Sequence, residues 1–200
     1  KKLLETISSH GLDREKISQI TGLVYYEKQG NFVNTGTAEL IKDLDNIPIP
    51  YRDSLGLKTI VHMFTSRGCP YKCTFCSSTS LWRKSIRFNS AERVVEEKIE
   101  LVTKYNARHI SIWDDLFSIN AKRLARIQKL IDENRKYLKG VTLGVTGRTD
   151  CLTEEICRLL KEINVKRVAL GLESGSNRML TMLKGGKCSV EGHKEAIRLL

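Results

Sequence analysis

Three thiols lie within one short stretch, Cys69-Pro-Tyr-Lys-Cys73-Thr-Phe-Cys76, separated by three residues and then by two. A chain looped at that spacing can turn three sulfurs toward one metal centre, and the thiolate is the form that binds. Three ligands are one short of a structural zinc site, which normally closes itself with a second paired group. His62 precedes the stretch but falls inside an apolar run, where a buried core histidine is the simpler expectation. An iron–sulfur cube held by three protein thiolates leaves one iron open to a substrate or cofactor, as an open catalytic metal site does. The spacing alone leaves cube and zinc both open. Cys151, Cys157 and Cys188 are scattered without ligand spacing and read as structural thiols.

The groups that could act with these thiols sit where predicted strands end. Thr59–Thr65 reads as a buried strand feeding a long loop that carries the cysteines. His109–Trp113 delivers Asp114 and Asp115, Val141–Thr146 delivers Arg148 and Asp150, and Val168–Leu172 delivers Glu173. Helical runs alternate with them. Ser90 can cap a helix through Tyr105, with Val94, Val95, Ile99 and Val102 at helical spacing. Asn120 opens a run with Leu124, Ile127, Leu130 and Ile131, and Thr153 caps a helix that Asn164 ends in a left-handed conformation. Ser176 and Ser189 open the last two helices, and Gly185-Gly186 separates them. The alternation predicts an α/β fold: a parallel sheet with right-handed crossovers, four βα units, half of a TIM-type β/α barrel. An open doubly wound sheet fits the periodicity equally. Parallel β/α folds place their sites at the carboxyl ends of the strands, so thiols, acids and a guanidinium converge on one rim.

Ahead of the barrel the pattern is different. Leu3, Leu4 and Ile7 share one helical face, and Gly22–Val33 reads as a short hairpin turning at Gln29-Gly30-Asn31. Pro48 and Pro50 forbid continuous helix or central strand, so the stretch from Gly36 to Gly56 is expected to be a linker. The sequence places the boundary there: 1–56 is the tail of a preceding domain plus linker, and 57–200 is the barrel half. The chain opens on Lys1-Lys2 without a Met and reads as a fragment.

Composition narrows the class. Forty per cent hydrophobic and 28% charged residues exclude a disordered or collagen-like chain. No run approaches the roughly 20 apolar residues of a membrane-spanning helix. Clustered thiols without secretory features point to a reducing compartment, the cytoplasm. The 34 Lys and Arg against 23 Asp and Glu give +11, but they are spread in ones and twos. That favours a solvated basic surface over a nucleic-acid face.

The cysteine stretch, with an aromatic before its last Cys, resembles the signature of radical S-adenosylmethionine (SAM) enzymes. Ile112-Trp-Asp-Asp-Leu-Phe117, Gly147-Arg-Thr-Asp150, Leu170-Gly-Leu-Glu-Ser-Gly175 and the Leu44-Asp-Asn-Ile-Pro-Ile-Pro50 linker resemble the cobalamin-associated branch of that superfamily. The resemblance implies that Cys69, Cys73 and Cys76 hold a 4Fe–4S cluster whose open iron chelates SAM. It further implies that Phe75 lies near the adenine and that Asp114 or Asp115 receives the SAM amino group. Arg148 then contacts the SAM carboxylate, or else pairs with Asp150 or Glu173, and Glu173 bonds the ribose hydroxyls. Lys184, beside Gly185-Gly186, resembles a Lys-Gly element of the family, although a solvated lysine is the default. The implied reaction is reductive cleavage of SAM to a 5′-deoxyadenosyl radical, with methyl transfer or a related modification of a small molecule. The implied partners are that substrate and an electron donor for the cluster, with no membrane.

The chain departs from the family in two ways: the cobalamin-binding domain is expected to precede Lys1, and the remaining strands of the barrel are expected to follow Leu200. His10-Gly11 lacks an Asp at the spacing of a cobalamin motif, so cobalamin belongs only to a full-length parent. A nucleic-acid-binding module stapled by zinc or an iron–sulfur centre, or a tRNA-modifying radical SAM enzyme, is the rival reading. A fourth strand apolar on both faces, with no fifth to pair with, predicts that the fragment self-associates. Replacing Cys151, Cys157 and Cys188 together with Ala should leave iron per chain after anaerobic reconstitution unchanged. A large loss of iron, or zinc in its place, would overturn the ligand assignment.

Overall fold

The computed structural model describes residues 2–27, 30–56 and 59–200. Lys1, Gln29 of the expected turn and Leu57, where the sequence starts the barrel, lie outside the described residues.

The contacts group the chain into two compact units, Lys1–Lys42 and Asp43–Leu200. The first holds helices α1 (Lys2–His10) and α2 (Arg14–Ser18) and an antiparallel hairpin of β1 (Val24–Tyr26) and β2 (Phe32–Asn34). Asp13 caps α2 by accepting from the Glu15 and Lys16 amides. Thr35 ties the hairpin to the helices, its Oγ1 donating to the Ile20 carbonyl at 2.6 Å.

The division at Lys42/Asp43 falls inside the Gly36–Gly56 stretch, and the proline-rich part after it is bonded down within the second unit. Leu44 is fully buried, and the Asp45 carboxylate accepts from the Ser90 amide at 2.9 Å. Arg93 donates to the Ile47 carbonyl at 2.8 Å, and Arg52 pairs with Glu97 at 2.5 Å, both side chains nearly inaccessible.

Four parallel strands form the sheet: β3 (Ile60–Met63), β6 (His109–Ile112), β7 (Thr142–Gly147) and β8 (Val165–Leu170). Between β3 and β6 run β4 (Ser66–Gly68), α3 (Ser78–Leu81), β5 (Ile86–Phe88) and α4 (Ala91–Thr103). Helices α5 (Ala121–Glu133) and α6 (Arg135–Leu138) lead from β6 to β7, and α7 (Glu154–Glu162) leads from β7 to β8. Helices α8 (Asn177–Lys184) and α9 (Val190–Leu199) follow. Ser90, Asn120, Thr153 and Ser189 all accept the expected capping bonds, and Asn164 has a φ of +65°.

The strand order β3-β6-β7-β8 decides between the two architectures. A doubly wound sheet reverses order at a switch point. Here each strand pairs with the next, and α4, α5 and α7 pack against one another on one face. That is the wall of a β/α barrel. Strand alternation supplies the reason: Val61, Met63, Ile110, Ile112, Leu143 and Val145 point outward into one core with Val94, Leu101, Leu124, Ile127, Ile156 and Leu159. The residues between them face inward.

Two expectations shift. The fourth strand runs Val165–Leu170, two residues short of Leu172, and is not apolar throughout, since its second and third residues are the exposed Lys166 and Arg167. The cysteine stretch does not hang from a plain loop, because β4 and β5 pair as an antiparallel ribbon at its root.

Within α4, Lys98 is only 3% exposed, and burial pushes its ammonium down to about 8. A lysine depressed on folding contributes stability above its unfolded value of 10.5 that is lost as pH falls through the folded value. Lys98→Met should therefore raise stability at pH 7 by about 1–3 kcal/mol. In urea melts of the two proteins, the gap should close as pH approaches 10.5. A constant gap across that range would show that Lys98 stays charged at no cost.

Candidate functional site at the strand ends

The rim starts where β3 hands the chain to the cysteine segment. Asp114, just past β6, is 2% exposed. Its Oδ1 accepts from the Thr65 amide at 2.6 Å and the Ser66 amide at 3.0 Å, and its Oδ2 from the Thr65 hydroxyl at 2.5 Å. Burial pushes the carboxyl above its ordinary range, against the opposing pull of these donors. Arg123 of α5 braces the same corner from behind, donating to the Thr65 carbonyl at 2.7 Å and the Asn89 carbonyl at 3.1 Å. Both acceptors flank the ribbon that carries the cysteine segment.

Asp115 faces the other way, as strand alternation requires, and is exposed. One oxygen accepts from the Gly68 amide at 3.1 Å. A Cβ at Gly68, whose φ is +98°, would meet the Ser85 carbonyl oxygen at 2.1 Å, so only glycine lets the ribbon close here. Asp115 also lines a cavity of about 310 Å³ with Phe64, Ser66, Arg67, Leu81, Trp82 and Trp113.

The cysteine segment is held at its middle by Arg148. The guanidinium donates from Nε to Asp150 at 2.6 Å, from Nη1 to the Cys73 sulfur at 3.0 Å and from Nη2 to the Lys184 carbonyl at 3.3 Å. It also lies over the Tyr71 ring, 3.9 Å from the centroid. Of the alternatives drawn from sequence, the geometry has the ion pair with Asp150, and all three nitrogens are engaged. The Thr74 amide bonds the Leu183 carbonyl at 2.9 Å, fastening the segment to α8.

The three motif cysteines are free; Cys69 and Cys73 are half-buried and Cys76 is exposed. Phe75 is 53% exposed, so its ring is open to a flat partner. Among the described residues, no three His, Cys, Asp and Glu side chains converge as ligands of a single metal ion. A four-iron cube does not ask that of them, because each thiolate binds a different iron corner. The donor set, three free thiols on one braced segment, fits such a cube.

At the end of β8, Glu173 has a φ of +62°, and its carboxylate lies 3.5 Å from the Lys184 ammonium. Lys184 is buried and donates to the Gly171 carbonyl at 2.5 Å, so it is a structural tie and not a solvated lysine. His193 is buried between Thr149, 2.8 Å from its Nδ1, and the Leu172 carbonyl, 3.0 Å from its Nε2. Two scattered thiols prove to be near neighbours of the site: Cys151 Sγ is 3.0 Å from the Tyr71 hydroxyl, and Cys188 is buried beside Thr149. His62, read from sequence as a core residue, is exposed, and its ring packs against Trp113 at a tilt of 49°. Its neighbours Val61 and Met63 take the core side, and the alternation leaves His62 the other.

Comparison with known proteins bears on the whole rim. The family model described as the radical SAM superfamily matches residues 63–200. The chain belongs to the radical SAM superfamily. An uncharacterized methyltransferase of Pyrococcus horikoshii is 32% identical over 195 residues, which cover 93% of this chain and 40% of that protein. An anaerobic magnesium-protoporphyrin IX monomethyl ester cyclase of Rubrivivax gelatinosus is 28% identical over 90% of this chain and 34% of its own length. The chain thus spans between about a third and two fifths of these curated relatives. The structure of the cobalamin-dependent SAM radical enzyme OxsB superposes with a TM-score of 0.77 at 24% identity, covering 99% of this chain and 30% of that one. That likeness shows the fold.

Sequence reasoning missed Thr65, Tyr71 and Arg123. Their partners lie far along the chain, and no spacing pattern announces them. Asp114→Ala should cost about 3 kcal/mol of stability by orphaning buried donors, whereas Asp114→Asn should keep most of the bonds and lose about 1 kcal/mol. Equal losses in denaturant melts would show that the clamp depends on charge and not on hydrogen bonding.

Proposed function

We propose that this chain is the SAM-handling part of a radical SAM enzyme that modifies a small molecule, by methyl transfer or a related reaction. The observation that carries the proposal is the convergence of one braced three-thiol segment, a free carboxylate and a second acidic strand end on a single rim, within the matched family region. In this reading Cys69, Cys73 and Cys76 hold the 4Fe–4S cluster. When bound, the cluster supplies one electron for reductive cleavage of the SAM sulfonium.

The protein's own work is to bind, orient and shield. Asp115, exposed and bonded through one oxygen only, accepts the SAM amino group; Asp114 is spent on the clamp. Glu173 accepts from the ribose hydroxyls, with Lys184 fixing its position. Phe75 presents an open ring face to the adenine. Arg148 acts through Cys73 and Tyr71, holding the segment and donating to a ligand sulfur, a contact that tunes cluster potential. The exposure of Cys76 gives an external electron donor its approach.

Cobalamin is proposed for the full-length parent alone, and no residue here is assigned to it. Six free cysteines suit a reducing cytoplasm, and among the described residues no helix is long and apolar enough to cross a membrane. The outer edge of β8 has no strand partner among the described residues, which supports self-association of this stretch in isolation.

Calorimetry on the cluster-loaded, full-length parent tests the assignment. Glu173→Ala and Asp115→Asn should each weaken SAM binding roughly 10- to 100-fold, the cost of a charge-assisted hydrogen bond. Full affinity in both variants would place SAM elsewhere. A tight complex with one RNA sequence surviving roughly 0.2 M salt would overturn the small-molecule reading.

A further inference from the structure

The chain leaves β8 through a turn that its own residue types do not call for. The Ser174 amide donates to the Leu172 carbonyl at 2.7 Å, only two residues back. With a φ of +62° at Glu173, that bond closes a three-residue γ-turn of the positive-φ kind, which is rare and strained. A glutamate is costly at its centre, because a Cβ crowds the backbone in the left-handed region. Such strain persists only where the surroundings over-determine it.

The surroundings here are two side chains from the helices that follow. Lys184, the last residue of α8, donates to the Gly171 carbonyl at 2.5 Å and stands 3.5 Å from the Glu173 carboxylate. His193 of α9 has its Nε2 3.0 Å from the Leu172 carbonyl oxygen. A carbonyl oxygen can only accept, so Nε2 carries the hydrogen. The Leu172 carbonyl therefore takes two donors, the Ser174 amide and the His193 ring, one for each lone pair. Gly171 completes the arrangement: a Cβ there would collide with Glu173 Oε1, so the carboxylate folds back over bare backbone.

The other end of the His193 ring reaches the neighbouring strand exit. Nδ1 lies 2.8 Å from the Thr149 hydroxyl, and in the neutral ring it accepts from that hydroxyl. Thr149 follows Arg148, whose Nη1 donates to the Cys73 sulfur at 3.0 Å. His193, Thr149 and Arg148 are all buried. Arg148 also donates to the Lys184 carbonyl at 3.3 Å. Both side chains that hold the turn are thus tied back to the guanidinium that grips the cysteine segment.

We propose that His193 is a positioning residue of the SAM site. Through the Leu172 carbonyl it keeps Glu173 in its strained turn, and through Thr149 it fixes that turn relative to the cysteine segment. The inference rests on the function proposed above, in which SAM reaches from that segment to the Glu173 carboxylate. Two holds that moved independently would grip one end of the molecule at a time; a buried ring bonded at both ends makes them one body.

Calorimetry with SAM on the cluster-loaded, full-length protein tests it as a cycle of variants. Glu173→Ala and His193→Ala should each weaken binding roughly tenfold or more. Combined, they should weaken it by less than about threefold beyond the worse of the two, because both remove the same contact. Losses that multiply, as at independent sites, would overturn the proposal and leave His193 a packing residue. His193→Gln, whose amide can still donate to the Leu172 carbonyl, should recover most of the affinity. Should His193→Ala fail to retain iron, Thr149→Val takes its place in the cycle, since it unpins the ring without emptying its site, and the same non-additivity is expected. The turn has a readout of its own. Glycine takes a positive φ without strain, so Glu173→Gly should melt above Glu173→Ala, and adding His193→Ala, or Thr149→Val in its place, should close that gap. A gap that persists would show that the turn does not depend on His193. Full SAM affinity in Glu173→Ala would instead sink the proposed role of Glu173, and the melts alone would then decide whether His193 holds the turn.

Discussion

Asp114 binds the exit of β6 to the exit of β3 through three hydrogen bonds, and the rim is built outward from that junction. Parallel neighbours in a twisted sheet diverge at their ends unless something holds them. Here a carboxylate does so, accepting two successive amides and a hydroxyl at the corner where the chain leaves the sheet. Removing such a group from water is costly, and the cost is met by the donors and by Arg123, whose charge reaches the same corner. From the corner the chain enters the β4–β5 ribbon and then the cysteine segment. The period of two along an extended chain makes the next residue, Asp115, face the cavity. One Asp-Asp pair thus supplies both a fastener and a free acid.

What the sequence made legible was what local rules govern. Caps at Ser90, Asn120, Thr153 and Ser189, the left-handed Asn164 and the alternation of strands and helices follow from neighbours a few residues apart. The motif cysteines were legible for the same reason. The braces were not. Arg148 touches Cys73 and Lys184, and Arg123 touches Thr65, across long stretches of chain. No periodicity encodes such meetings; they depend on where the sheet brings strand exits together. His62 and Lys184 fell on the wrong side of the burial expectation for a related reason. An apolar run does not reveal which of its alternating faces is the core, and a lysine beside two glycines gives no sign that a carbonyl and a carboxylate await it.

The two faces of the sheet divide the work. The outer face is hydrocarbon and is covered by α4, α5 and α7, which supply the burial that keeps the strands in place. The inner face carries Ser111, Thr142, Thr146, two histidines, an arginine and exposed aromatic rings. Such a face has few of the hydrocarbon side chains that line the outer one. Hydrogen bonds local to it, as between His109 Nδ1 and Thr142 Oγ1 at 2.8 Å, fix side chains without consuming all their polar groups.

Acid is placed by height as well as by face: the four strands of the sheet carry none, and it gathers at their exits. At the rim stand Asp115 and Glu173, the latter steadied by Lys184, and both suit the hydroxyl and ammonium donors of SAM. Arg67 shares the cavity with Asp115, and Arg148 and Lys184 stand at the same level, so the rim carries both signs. In the proposed reading this placement does more than add affinity. The two acids, on the exits of different strands, set the direction in which SAM lies along the rim. Orientation of this kind is what a reactive cofactor requires of its protein, since a potent reagent has little selectivity of its own and the reacting carbon must be chosen by position.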